Sequence, residues 1–318
     1  MTASASTGRT LVVPAVLLAA LAGAFVALQG RLNGDLATAG AGALLAAWTS
    51  YVGTLVTVAV VVVVQGRAGI TRQILRHDAR WWWYAVGLCG VPIVVTFAFG
   101  IPMVGVAIAS VSSVAGQTVA GLGLDARGVG VPAPLRLSRR RVVAALVAVV
   151  GLAVAVGSGP TTSLGAAIGL GLLLFVGGAV LAGQQAGNGR VNLLTGDAVL
   201  PALTSSAGGT VGVSVLVGIA AAAGGLHGVT LPHEPGQWYL YLGGPLGAAI
   251  TVVSAWSIRH LGTFALTLGV VGGQMVTAVA VDAVSGVGVR SSTYVAVALI
   301  TVATLLVVLP RRAAVPGP

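Results

Sequence analysis

The chain has 318 residues, of which 57% are hydrophobic and only 7% are charged, and its mean hydropathy is +1.02. Soluble domains carry about 25% charged residues, so this composition excludes a soluble globular protein and predicts an integral membrane protein. The net charge of +10 does not indicate a nucleic-acid partner, because the arginines lie in short segments between apolar runs. The predicted partner is the lipid bilayer.

Apolar runs follow one another along the whole chain, and each is close to the roughly 20 residues that a helix needs to cross a bilayer. In chain order they predict ten spans, at residues 11–31, 41–65, 81–101, 103–124, 140–158, 164–187, 198–224, 237–257, 262–283 and 292–310. None of the runs alternates polar and apolar residues, as the strands of a membrane barrel do. The predicted fold class is therefore an all-α membrane protein with ten transmembrane helices.

The arginines predict how these spans are oriented. If the N-terminus lies in the cytoplasm, the cytoplasmic segments hold 14 arginines and the external segments hold only Arg31 and Arg290. Cytoplasmic loops of membrane proteins are rich in Lys and Arg. The sequence thus predicts a multi-pass protein with both termini in the cytoplasm.

Amide side chains recur at corresponding places in the two halves of the chain. In LQGRLNGD (28–35) and GQQAGNGR (183–190), Gln29 corresponds to Gln184 and Asn33 to Asn188, at an offset of 155 residues. The stretches VAGQTVAGLGLD (114–125) and VGGQMVTAVAVD (271–282) correspond at an offset of 157, and in both a Gly-Gln pair precedes an aspartate. These matches predict two homologous halves, 1–160 and 161–318.

Each predicted half contains five spans. Because five is an odd number, the second half must enter the membrane from the opposite side, which predicts an inverted-topology repeat. This architecture is typical of secondary transporters, whose substrate site lies at the repeat interface near the middle of the bilayer. The step from architecture to transport is an analogy.

The repeated amides are the candidate site. Residues four apart share a helix face, so Gln29 and Asn33 point the same way, as do Gln184 and Asn188. An unpaired amide in hydrocarbon is costly, so these side chains should face protein or a water-filled cavity. Hydrogen bonding between helices would explain each amide singly, whereas the repetition favours a binding site. The predicted substrate-binding residues are Gln29, Asn33, Gln117, Gln184, Asn188 and Gln274.

Acidic residues near the ends of spans are candidates for coupling or gating, namely Asp35, Asp125 and Asp282. Solvation at a helix end or an arginine partner would also explain them. Arg31 and Asp35 are four residues apart, so a local ion pair is expected there. No predicted span carries a central Asp, Glu, Lys or Arg, so the sequence gives no sign of proton coupling.

Motifs for catalysis and for cofactors are missing from the sequence. It has no phosphate-binding loop with Gly-Lys-Ser/Thr and no nucleophile paired with a base. The histidines lack the spacing of metal ligands. The sequence therefore predicts a protein that is not an enzyme and that holds no metal and no cofactor.

The paired motifs carry a resemblance to a known family. The stretches ALQGRLNGDL and GQQAGNGRV, with the two Gly-Gln…Asp stretches, resemble the drug/metabolite transporter superfamily, and within it the YdcZ-like group of inner-membrane exporters. The resemblance covers nearly the whole chain. It implies a central cavity lined by spans 1–4 and 6–9, with spans 5 and 10 outside, where a homodimer contact would lie.

The same resemblance implies a function. It suggests export of a small-molecule substrate, an organic solute or a drug, across a bacterial cytoplasmic membrane by alternating access. Two alternatives stay open at this point. One is a flippase for a lipid-linked substrate, and the other is a membrane scaffold subunit that transports nothing.

Overall fold

The computed structural model describes residues 12–130, 134, 137–157, 164–286 and 291–308, and these contain no strand. The helices are α1 (Val12–Leu36), α2 (Gly42–Val64), α3 (Ala68–His77), α4 (Trp81–Leu88), α5 (Val91–Ala126), α6 (Arg139–Gly157), α7 (Leu164–Thr195), α8 (Val199–Ala222), α9 (Gly243–Val284) and α10 (Ser291–Val308). A π-helical turn joins α1 to α2, and a 3-10 helix precedes α9. The all-α class is confirmed for these residues. The termini predicted to be cytoplasmic, 1–11 and 309–318, lie outside them.

Among the described residues, five helical stretches are long and apolar enough to cross a membrane: Val13–Val64, Trp81–Ala126, Ile168–Thr195, Val199–Ala222 and Pro235–Ile258. The first two have 52 and 46 residues, more than twice the roughly 20 that one crossing needs. Two shorter apolar helices, Gly269–Val284 and Tyr294–Ala303, follow. The protein is therefore helical and membrane-embedded, and the number of ten spans stays a prediction.

Glycines break both of the long stretches. Gly40, between α1 and α2, has φ 123°, and Gly105, inside α5, has φ 82° and ψ 164°. Glycine adopts positive φ without the steric penalty that a Cβ would impose. Pro102 adds to the second break, because it gives no N–H to the helical ladder. Thus α5 consists of two helical segments, 91–104 and 106–126, which meet at Gly105.

A carboxylate from another helix caps the second segment of α5. Asp282, near the end of α9, accepts hydrogen bonds from the backbone N–H groups of Val106 (3.0 Å) and Ala107 (2.7 Å). These groups have no partner within their own helix, because the first N–H groups of a helix are left unpaired. Asp282 is buried, and the positive end of the α5 segment stabilises its negative charge.

Helix α9 makes two sets of contacts with α1 that run in opposite directions. Added Cβ atoms at Gly243 and Gly247 would meet Asn33 and Gln29, whereas one at Gly269 would meet Ala19. An added Cβ at Gly23 would likewise meet the backbone nitrogen of Gln274. The first set is antiparallel and the second is parallel. A straight helix cannot make both, so α9 reverses direction between residues 247 and 269.

Glycines also mark the places where helices cross most closely. In several pairs, a Cβ added to one helix would overlap the backbone of the other; these are Gly23 with Val270, Gly273 with Ala20, Gly178 with Ser113, Gly116 with Phe175, Gly87 with Ser205, Gly208 with Tyr84, and Gly53 with Gly244. Small residues let membrane helices approach until their backbones touch. Helices α1 and α9, α5 and α7, α4 and α8, and α2 and α9 therefore pack at backbone contact.

Two ion pairs that join different segments of the chain lie at one end of this bundle. Arg67, just after α2, pairs with Asp197, just before α8, and Arg141 at the start of α6 pairs with Asp125 at the end of α5 (2.7 Å). Asp125 is fully buried and Arg141 nearly so. Because this end also carries the arginines of α3 and Arg127, which follows α5, it is the end that the sequence assigns to the cytoplasm.

The glycine crossings predict an unequal effect of two neighbouring substitutions in α9. Gly273→Ala is expected to lower the free energy of unfolding by about 1–3 kcal/mol, because the new methyl group overlaps the Ala20 carbonyl oxygen. Gly272→Ala is the matched control, since no neighbouring atom lies within 4 Å of its added Cβ. Thermal unfolding of the two variants in the same detergent checks this. Equal losses of stability would contradict the crossing.

Candidate functional site

A cavity of about 100 Å³ lies between α1, α2, α5, α7, α8 and α9. Its polar wall is formed by amides and hydroxyls, and the described lining residues include no ionised side chain. The amides that line it are Gln29, Asn33, Gln184, Gln185 and Asn188. The cavity therefore brings together four of the six amides that the sequence predicts to bind substrate.

Hydrogen bonds hold the two amides of α1 against α2 and α9. Gln29 Nε2 donates to the Gly243 carbonyl oxygen (2.9 Å) and to Ser50 Oγ (3.2 Å). Asn33 Nδ2 donates to the same hydroxyl (3.3 Å). Ser50 is thus the shared anchor of both amides. Their carbonyl oxygens are left for other partners.

Small residues on α9 make room for this network. Thr54 Oγ1, on α2, donates to the Gly244 carbonyl oxygen (2.9 Å). An added Cβ at Gly247 would lie 2.6 Å from Gln29 Nε2, which is too close. The start of α9 therefore needs glycine in order to pack beside the amide face of α1.

One amide of α7, that of Gln184, faces a tyrosine of α2. The hydroxyl of Tyr51 interacts with the side chain of Gln184 and lies near the Gly87 carbonyl oxygen (3.4 Å). A methyl group at Gly90 would overlap both the Tyr51 hydroxyl and the Gln184 amide oxygen. This contact joins α2, from the first predicted half, to α7, from the second.

Several polar atoms around the cavity have no hydrogen-bond partner among the described residues. Asn33 Oδ1, Gln185 Oε1, Asn188 Oδ1 and Ser254 Oγ are shielded from solvent and unsatisfied, and all four residues line the cavity. Buried polar groups are paired in the great majority of cases. Unsatisfied groups on residues that line a cavity indicate a place where a bound solute or water supplies the missing partner.

Gln117 and Gln274 lie away from this cavity. Both are fully buried, and Gln117 Nε2 donates to Ser113 Oγ (3.0 Å) within its own helix. Gln274 lies at the close crossing of α9 with α1, and neither atom of its amide has a partner among the described residues. Their role in substrate binding stays a prediction.

The three aspartates predicted to couple or gate occupy different surroundings. Asp35 pairs with Arg31 at 2.8 Å, as its spacing predicts, and Asp125 pairs with Arg141. Asp282 caps the second segment of α5, residues 106–126. Each carboxylate therefore has a structural partner. A coupling role for them stays a prediction.

Five further residues that line the cavity were not predicted from the sequence, namely Ser50, Tyr51, Thr54, Gln185 and Ser254. Hydroxyls are common in membrane helices, where they bond to the carbonyl oxygen one turn earlier, as Thr54 also does. Ser50 differs from other membrane hydroxyls only in its position beside the amide face of α1, which the sequence does not reveal. Within the described residues, no group of three His, Cys, Asp or Glu side chains could hold a metal ion.

Comparison with known proteins identifies what the chain is similar to. The sequence model of the family described as "Putative inner membrane exporter, YdcZ" matches twice, at residues 14–154 and 170–309. No curated protein matches the chain.

A solved crystal structure, whose name states no function, has a TM-score of 0.59 and 16% identity, and the alignment covers 94% of this chain and 96% of that one. At this identity the likeness concerns the fold alone.

The cap formed by Asp282 can be tested by substitution. Asp282→Ala is expected to destabilise the protein by about 0.5–2 kcal/mol, because two buried N–H groups lose their acceptor. Asp282→Asn keeps one carbonyl acceptor and should lose less. Unfolding in detergent measures both. If Asp282→Ala unfolds like the parent yet abolishes solute uptake, the carboxylate acts in coupling and the cap contributes little.

Proposed function

We propose that this chain, which belongs to the YdcZ family of inner membrane exporters, is a secondary transporter of a small organic solute across the bacterial cytoplasmic membrane. It works by alternating access and in the direction of export. The cavity carries this proposal, because it collects amides from α1 and α7 in a chain whose two halves match the same family model. Membership of an exporter family supports transport, and not catalysis, as the activity of this chain.

The proposal includes an inverted repeat. The close glycine crossings support it, since Gly23 and Gly178 differ by the offset of 155 that relates the amides, as do Gly53 and Gly208. Gly116 and Gly273 differ by 157, as do Gly87 and Gly244. Equivalent glycines therefore make equivalent crossings. Two halves with matched contacts can exchange conformations, giving inward-open and outward-open states of similar energy.

Contacts between the halves at both ends of the bundle support alternating access. At one end, Arg67 of the first half pairs with Asp197 of the second, which also accepts from the Val199 N–H (2.8 Å). At the other end, the Thr230 N–H donates to the Gly40 carbonyl oxygen (3.1 Å). We propose that breaking one contact while keeping the other opens the cavity to one side at a time.

The inverted repeat predicts the sides on which two loops lie. In a Cys89→Ser background, which removes the only native cysteine, Ile70→Cys should react with a membrane-impermeant maleimide only from the cytoplasm. Thr230→Cys should react only from outside. Both positions are exposed. Labelling of both from one side of intact cells and inverted vesicles would contradict the inverted topology.

The transport proposal predicts that the paired glutamines are required for flux. A thermal-shift panel of amino acids, sugars, nucleobases, cations and drugs identifies a ligand, whose uptake into proteoliposomes is then measured. Gln29→Ala/Gln184→Ala should abolish both the shift and the flux, because both amides line the cavity. Gln73→Ala, on the exposed surface of α3, should change neither. A folded double variant with full flux would contradict the requirement for these glutamines, whereas a folded parent protein that transports no compound of the panel would favour the scaffold alternative.

A further inference from the structure

Three of the four unsatisfied atoms of the cavity share a chemical character. Asn33 Oδ1, Gln185 Oε1 and Asn188 Oδ1 are carbonyl oxygens and can only accept hydrogen bonds. Asn33 and Asn188 are 2% and 7% exposed, so water reaches them poorly. Three acceptors on residues of the cavity wall therefore lack a donor.

The amide donors that α1 brings to the cavity already have partners. Gln29 Nε2 donates to the Gly243 carbonyl oxygen, an atom that can only accept, and this fixes the orientation of the amide. Asn33 Nδ2 donates to Ser50. The terminal torsions of Asn and Gln are soft, so small rotations can turn the unsatisfied oxygens toward a solute. A solute that supplies N–H donors would satisfy them, whereas one that supplies only acceptors would face lone pairs.

Charge and size restrict the solute further. No described lining residue carries a charge, so an anion or a cation would lose its hydration without gaining an opposite charge. The remaining wall is apolar and includes Ile93, Phe97 and Leu266. The cavity of about 100 Å³ is smaller than the roughly 150 Å³ apolar cavity that admits benzene. It therefore suits a compact solute with a polar edge and an apolar face.

We infer that the substrate is a compact, uncharged solute that presents two or more N–H donors on one edge, as a primary amide or a urea does, beside a small apolar group. This inference rests on the proposed transport function and specifies its substrate class. Ser254 Oγ, a cavity hydroxyl without a partner among the described residues, can donate to the carbonyl oxygen of such a solute.

A set of four probes with the same six-heavy-atom shape tests the inference by calorimetry or thermal shift on the purified protein. Isobutyramide is neutral with donors, 3-methyl-2-butanone is neutral without donors, isobutyrate is an anion, and isobutyramidinium is a cation with donors. Isobutyramide should bind at least about ten-fold more tightly than each of the others, because a site built for hydrogen bonds rejects an analogue that lacks them. Tighter binding of the ketone, the anion or the cation, or the absence of any preference, would overturn the inference.

Substitutions test whether the side-chain oxygens of Asn33 and Asn188 cause the preference for the amide over the ketone. Asn33→Leu and Asn188→Leu should bring the affinity ratio of amide to ketone close to one. Asn192→Leu is the control, because Asn192 lies one turn further along α7, donates to the Ala255 carbonyl oxygen and is not among the cavity residues. It should keep the parent ratio even if the protein is less stable. A ratio that falls equally in all three variants would overturn the assignment.

Flux measurements separate this inference from the transport proposal. Proteoliposomes that transport a solute without donors would refute the substrate class and leave transport intact. Amide-selective binding without flux for any amide or urea would support the site and refute transport.

Discussion

Hydrocarbon offers no hydrogen bonds, so every polar group that this chain carries into the membrane needs a partner within the protein. The helices pack so closely that their backbones touch, which brings polar side chains of one helix near the backbone of another. Where glycines such as Gly273 and Gly178 remove the side chain, carbonyl oxygens and amides of neighbouring helices come within reach of each other. The same close approach allows Gln29 of α1 to donate to the Gly243 carbonyl oxygen at the start of α9.

The constraint also explains how the helix breaks are stabilised. A break inside a membrane helix exposes N–H groups that solvent cannot satisfy. At Gly105 the carboxylate of Asp282 satisfies two of them from a different helix. A charged residue deep in the bundle thus becomes part of the backbone hydrogen bonding. The cavity differs from this capped break, because several amide and hydroxyl atoms of its lining residues have no partner among the described residues.

Unsatisfied acceptors on residues of the cavity wall connect the packing to the proposed transport. A cavity whose polar atoms were all satisfied would have little to offer a solute, whereas one with ionised groups would favour a charged solute. The wall described here is neutral and includes three residues with an unsatisfied carbonyl oxygen. Ion pairing of Arg67 with Asp197 lies outside the cavity, at one end of the bundle, where it can hold the halves together without taking part in recognition.

Composition and periodicity determined by themselves that the chain is helical and membrane-embedded, because these properties depend only on apolar runs and on few charges. Repeated amides also identified four of the cavity residues, since a duplicated sequence keeps equivalent positions. Only the tertiary structure decided that Gln117 and Gln274 lie away from the cavity and that Ser50, Tyr51 and Gln185 line it. The face that a helix turns toward a cavity depends on its crossings with other helices. Those crossings join residues far apart in the chain, and no local pattern encodes them.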